Sequence, residues 1–153
     1  MPPAPPVHQI RAPRPEDAEG IAALLGELGY PARADEVPPR LARLDRFARA
    51  SAEHGAAAFV AARDRELLGL ATVHAYPVLH RAGDVAQLTA LVVTARERGL
   101  GVGRALVDAA ARWARARGCS RLTVTTALHR ADAHAFYERL GFEHTGRRYV
   151  KGL

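Results

Sequence analysis

Cysteine occurs once in this chain, at Cys119, so no internal disulfide is available. A single thiol at a helix-to-strand junction is expected to be buried and inert, and a reducing cytoplasm is the expected compartment. Lysine also occurs once, at Lys151, and arginine carries the rest of a net charge of +6. Aromatic residues are 6% of the chain, too few to interleave with the arginines as stacking platforms. No block of like charge stands out either. The surplus therefore reads as compositional bias, and no nucleic-acid partner is expected. It can still steer an anionic ligand. No apolar run is long enough to span a bilayer, so no membrane partner is expected. The start, Met1-Pro2-Pro3-Ala4-Pro5-Pro6, lacks the basic-then-apolar pattern of a signal. Residues 1–7 read as a disordered, proline-rich arm, because proline cannot donate to a ladder. The seven histidines include no H-x-x-x-H pair, so no metal is expected.

What is present suits one folded domain over residues 8–153, with 48% apolar residues in a chain of 153. Residues 10–12 read as a first strand. Pro15-Glu16-Asp17 opens a helix whose stripe is Ile21, Leu24, Leu25 and Leu28, and Gly29-Tyr30-Pro31 ends it. Asp35 reads as the N-cap of a second helix with Val37, Leu41, Leu44 and Phe47 on one face. Residues 56–63 and 67–76 read as strands joined by a polar turn, and 84–93 as a long strand. A helix over 102–117 stopped by Gly118, a strand over 121–126, and a helix over 131–140 stopped by Gly141 follow. Residues 142–151 are expected to add one or two final strands.

The chain is organised around Arg96-Glu97-Arg98-Gly99-Leu100-Gly101-Val102-Gly103-Arg104. An apolar strand precedes it. Val102, Leu106, Ala110 and Trp113 follow at helical spacing. A glycine-rich turn between strand and helix exposes main-chain N–H groups at the positive end of a helix dipole, a site suited to phosphate. The dinucleotide fingerprint fails in both registers, because Arg104 and Leu106 stand at its last position, and the P-loop lysine is missing.

Arg98-x-x-Gly101-x-Gly103 does match the Q/R-x-x-G-x-G/A signature of the GNAT superfamily of acyl-CoA-dependent N-acetyltransferases. A second stretch, from Arg130-Ala131-Asp132-Ala133-His134 through Phe136-Tyr137-Glu138 to Leu140-Gly141-Phe142, resembles that family's last helix and following strand. The resemblance runs from about Ile10 to the C-terminus. It implies an α/β (α+β) fold: a mixed, mostly antiparallel six- to seven-stranded sheet, about four helices, and a splayed parallel strand pair. Within the superfamily the chain resembles aminoalkylphosphonate N-acetyltransferases, through the R-x-D-A-H-x-F-Y stretch, the His74–His80 loop and the tail Arg148-Tyr149-Val150-Lys151-Gly152-Leu153.

The resemblance implies acetyl-CoA as co-substrate and acetyl transfer to a primary amine of a small molecule by direct attack in a ternary complex. Its cofactor residues would be Leu91, Val92 and Val93 on the strand, Arg98, Gly99, Leu100, Gly101, Val102, Gly103 and Arg104 on the turn, and Arg130, Ala133 and Phe136 on the last helix. Tyr137 matches the family's general acid. Its phenol, with a reference pKa of about 10, stays protonated at neutral pH. The usual carboxylate base is absent near Gln87, Thr89 and Ala90, which leaves His74, His80 and His129 as candidates, each with a structural alternative. Acceptor contacts would come from Tyr30, Gln87, His129 and Arg147, where Arg147 or Arg148 could pair with an anion on the amine. For Tyr30 an ordinary packing tyrosine is the stronger alternative. A homodimer is common in the family. The alternatives are a protein lysine or N-terminal acetyltransferase, and a non-catalytic acyl-CoA-binding module. Intact Tyr137, Gly101 and Gly103 argue against the latter. The acid role predicts that Tyr137→Phe lowers kcat by ~10²-fold or more while the KM for acetyl-CoA stays nearly unchanged. Steady-state kinetics check this, and unchanged turnover would refute the role.

Overall fold

The computed structural model describes residues 1–2, 7–50, 55–126 and 131–153. Two compact units are present, Met1–Thr123 and Val124–Leu153. The first is built on a sheet of strands β1 (Gln9–Arg11), β2 (Gly55–Arg63), β3 (Glu66–Tyr76), β4 (Val85–Val93) and β5 (Arg121–Val124), in that spatial order. β1 to β4 pair antiparallel with their neighbours. The β4–β5 step is the parallel one, reached through helix α3 (Val102–Ala116). Helices α1 (Ala18–Leu28) and α2 (Val37–Arg49) precede the long strands.

Alternation along the strands decides which helix meets which face. Val60, Leu70 and Val92 stand opposite one another on β2, β3 and β4, and they pack with Ile21 and Leu24 of α1 and Val37 of α2. The opposite face receives α3, whose Val102, Leu106 and Ala110 are buried as their spacing predicts. Burying side chains such as Leu106 contributes roughly 1.5–3 kcal/mol each. Gly69 permits the close approach of α3. A Cβ there would stand 2.8 Å from Leu106 Cδ1 and 2.9 Å from the Val92 carbonyl oxygen. Trp113 is only half-buried, with the Arg117 guanidinium 4.6 Å above its ring.

The start of the chain is fastened by one buried carboxylate. Asp17 accepts from Arg11 Nη1 at 2.7 Å and Nη2 at 3.0 Å, and from the Arg14 N–H at 2.7 Å. These donors hold its carboxyl below the ordinary range, with Arg11 the largest cause.

The second unit holds α4 (Ala131–Arg139). Gly141, at φ 89°, ends that helix. The Phe142 N–H then donates to the Tyr137 carbonyl, and the Phe142 ring meets Tyr137 edge-on at 5.4 Å. This is the hydrophobic contact that often accompanies a left-handed helix stop.

Two expectations are corrected. Among the described residues the sheet has five strands, not six to seven, because residues 143–153 form no strand and are exposed. That tail runs Glu143-His144-Thr145-Gly146-Arg147-Arg148, with no alternating apolar face to bury. Asp35 does not cap α2. It lies inside a 3-10 turn, Ala34–Glu36, and pairs with Arg33 Nε at 3.0 Å. Glu36 stands at the cap position instead, receiving the Arg33 N–H at 2.8 Å.

Gly69→Ala is expected to cost about 1–3 kcal/mol of stability, because one of the two atoms met is backbone and cannot move aside. Urea unfolding measures this.

Candidate functional site

The turn after β4 is held by three separate ties. The Glu27 carboxylate of α1 accepts from the Ala95 N–H at 3.1 Å and from the Thr94 hydroxyl at 3.4 Å. The Thr94 N–H donates to the Leu68 carbonyl at 2.8 Å. Glu97, nearly buried, receives both guanidinium nitrogens of Arg63, at 2.9 and 3.0 Å. A paired fork of this kind fixes direction as well as distance. Arg63 pulls the Glu97 carboxyl below its usual range. The chain therefore enters the glycine turn from a clamped point.

Beyond it, Gly99 (φ 79°) and Gly101 (φ 87°) both take the left-handed conformation, which favours glycine. A Cβ at either would meet nothing within 4 Å, so the space in front of the turn is open. Gly101 is the N-cap of α3 and has no side chain to cap it. The N–H groups of Val102, Gly103 and Arg104 thus begin the helix without the i−4 carbonyls that later residues use. Arg104 and Leu100 are exposed. These residues fit a diphosphate: open space at both glycines, main-chain donors, a helix dipole and nearby guanidinium groups.

The strand before the turn presents a second feature. Thr94 bonds β3, so by antiparallel alternation the main-chain groups of Val92 also face β3, while those of Leu91 and Val93 face away from it. Arg98 Nε donates to that outward Val93 carbonyl at 3.2 Å. β5 ends at Val124, whereas β4 runs on to Val93. Val92 itself is turned into the core, 5% exposed.

On the face covered by α1 and α2, a polar cluster interrupts the apolar surface. The β3–β4 register slips between Thr72 and Val73, so Thr89 is an extra residue between Leu88 and Ala90. Its hydroxyl lies 2.7 Å from Thr72 Oγ1 and 3.1 Å from His74 Nδ1. The His74 ring sits 5.9 Å from Phe47 of α2. Burial lowers the His74 pKa, which favours the neutral imidazole. Gln87 stands opposite His74 and accepts from the Tyr76 hydroxyl at 3.2 Å.

Two cavities lie under α2. One of about 480 Å³, between α2 and β2, is lined mainly by alanine, proline and leucine, with Arg14 and Asp45. It includes none of the polar cluster. The smaller, about 180 Å³, reaches Thr72 and Ala90 and has Arg40 as its charged residue.

The structure thus brings His74 and Gln87 together on one face, and Leu91, Val93 and Arg98 to one strand end. His80 is exposed on the loop after β3 and has no bond to the cluster among the described residues. Tyr30 is 67% exposed past the end of α1. Arg147 is exposed in the tail. Ala133, Phe136 and Tyr137 are half-buried on α4. Tyr137 and Phe136 meet edge-on at 5.2 Å. His129 and Arg130 lie outside the described residues. Sequence reasoning did not find Thr72, Glu27 or the Arg63–Glu97 pair. The first depends on the pairing register of two strands, and the last joins residues far apart in the chain. Cys119 is half-buried rather than buried, and that partial burial raises its thiol pKa. Among the described residues no three potential ligands gather for a metal, and no helix is long and apolar enough to cross a membrane.

Residues 22–142 match the model of the Acetyltransferase (GNAT) family. An aminoalkylphosphonate N-acetyltransferase of Salmonella typhimurium is 30% identical over 148 residues, covering 97% of this chain and 93% of that protein. An aminoglycoside N(6')-acetyltransferase type 1 of Stenotrophomonas maltophilia is 34% identical over 142 residues, covering 90% and 88%. In fold, the chain is similar to an aminoglycoside N-acetyltransferase solved in complex with CoA, with a TM-score of 0.77, 24% identity and coverage of 100% and 99%.

Because pairing lowers the folded-state pKa of Glu97, its contribution to stability is present above the unfolded value of about 4.3. It is lost as pH falls through the lower folded value. Thermal unfolding midpoints recorded from pH 7 to pH 3 are expected to fall less steeply in Glu97→Gln than in the unaltered protein. The Asp17 response should remain in both.

Proposed function

This chain belongs to the Acetyltransferase (GNAT) family and is an acetyl-CoA-dependent N-acetyltransferase; we propose that its acceptor is a small primary amine carrying an anion, attacking directly in a ternary complex. The observation that carries the reading is the clamped turn in which Gly99 and Gly101, both left-handed, open the start of α3 beside the outward main chain of β4.

Acetyl-CoA supplies an activated thioester. The chain's own parts then have separate tasks. The amides opening α3 hold the diphosphate, with Arg98 and Arg104 adding positive charge. The outward main-chain groups of Leu91 and the Val93 carbonyl pair with the extended arm as an added strand would. The Val93 N–H polarises the acetyl carbonyl, and one such donor is worth roughly 3 kcal/mol. His74, whose neutral form is favoured by burial, takes the proton released as the amine nitrogen bonds to carbon. Tyr137 returns a proton to sulfur as the C–S bond breaks. Gln87 and Thr72 line the acceptor side. Bringing both reactants together removes on the order of 7–11 kcal/mol of barrier in favourable cases.

The small cavity supports the choice of acceptor. At about 180 Å³ it is below the roughly 300–1,000 Å³ of drug-sized pockets. It has apolar walls, a threonine at the catalytic side and one guanidinium. That chemistry fits a short alkyl amine with an acidic group for Arg40. The aminoalkylphosphonate relative favours such an acceptor, whereas an aminoglycoside is larger and cationic.

Acetyl-CoA-dependent thiol release is expected with a two- or three-carbon aminoalkylphosphonate and much less with an aminoglycoside. Arg40→Ala should raise the KM of the anionic amine by ~10-fold or more, as loss of a charged hydrogen bond predicts, with a smaller change in kcat. Faster turnover of aminoglycosides, or an unaltered KM, would overturn the acceptor class. No release with any amine would overturn the reaction.

A further inference from the structure

Three contacts converge on one oxygen. The Thr89 hydroxyl lies 2.7 Å from Thr72 Oγ1, 3.1 Å from His74 Nδ1 and 3.3 Å from the Thr72 carbonyl oxygen. A threonine hydroxyl has one proton to donate and lone pairs to accept with, while a carbonyl oxygen only accepts. To fill all three contacts, the Thr89 proton must go to the Thr72 carbonyl. Its oxygen must then accept from the Thr72 hydroxyl and from an N–H on His74 Nδ1. Donation from Thr89 to Nδ1 would leave the carbonyl contact without a proton. The other ring nitrogen, Nε2, has no hydrogen-bond partner among the described residues.

We infer that Thr89, with Thr72, is a positioning pair that fixes His74 as its Nδ1–H tautomer and leaves Nε2 bare as the proton acceptor. This rests on the reading of His74 as the base. The strand register supplies the arrangement. Continued from the His74–Gln87 pair, the alternation sets Thr89 on the same face as Gln87 and His74, opposite Thr72, and the slip that follows brings Ala90 onto that face as well. Which nitrogen of a histidine is protonated is set by the bond the other one makes, and here a hydroxyl sets it.

The test is a spectrum of the whole protein labelled with ¹⁵N-histidine. Long-range ¹H–¹⁵N correlations separate protonated from bare ring nitrogens, and His74→Gln assigns the signal. The expected result is a protonated Nδ1 and a bare Nε2, the reverse of the tautomer that free imidazole favours. Thr89→Ser should keep this pattern. Thr89→Val should lose it and lower kcat by ~10-fold or more, with little change in the KM for acetyl-CoA. An Nε2–H tautomer in the unaltered protein would overturn the inference, even if Thr89→Val fails to fold. So would an unchanged spectrum in a folded Thr89→Val. Full turnover in His74→Gln would overturn the base role, and with it any catalytic use of the pair, whichever tautomer the spectrum records.

Discussion

The antiparallel pairing of β3 with β4 is the constraint on which the rest depends. One slip in its register, at Thr89, sets the orientation of everything downstream. Past that slip, Val92 points into the core between α1 and β3, while the main chain of Val93 faces away from β3. At the slip itself, a threonine joins Thr72 and His74 in an otherwise apolar layer. A ladder continued without the slip from the His74–Gln87 pair would leave Thr89 on this face but turn the Val92 side chain to the α3 side. A bulge costs one unpaired residue and some twist, and in return it redirects a side chain.

The glycine turn depends on the same strand in a different way. Its openness comes from missing side chains, so it cannot hold itself in place. Rigidity is supplied from outside: by Glu27 on α1, by the Leu68 carbonyl on β3, and by Arg63 on β2 through Glu97. Three elements distant in sequence converge on a few residues. An anion site made of main-chain donors needs such fixing, because donors that had to be reoriented on binding would lose part of their advantage. The Arg63–Glu97 pair is partly exposed, and its value lies in aim more than in raw stability.

The two faces of the sheet divide the work. The α3 face is tightly packed, with Gly69 admitting Leu106 and the Val92 carbonyl to within contact. The α1–α2 face is looser and contains both cavities. The larger cavity has the greater volume but no polar cluster, and the smaller one reaches Thr72. Polar chemistry, rather than volume, distinguishes a place where an amine could react.

Much of this was written along the chain. The stripes of Ile21 and Leu24 and of Val102, Leu106 and Ala110, the stops at Gly29, Gly118 and Gly141, and the strand–turn–helix around Gly99–Gly103 follow from local rules of periodicity and backbone freedom. The final strands did not, since residues 143–153 have no apolar alternation and a strand exists only with a partner. Asp35 was misread because a 3-10 turn shifts the helix start by one residue, beyond what residue preference can resolve. The amino-acid order by itself determined the elements, the family signature and a turn able to hold phosphate, because those depend on neighbours in sequence. Only tertiary structure decided that Thr89 would face His74, that Arg63 would reach Glu97, and that Arg40 would line a small cavity. Each of these requires two residues from different elements to meet, and that meeting is set by register and packing.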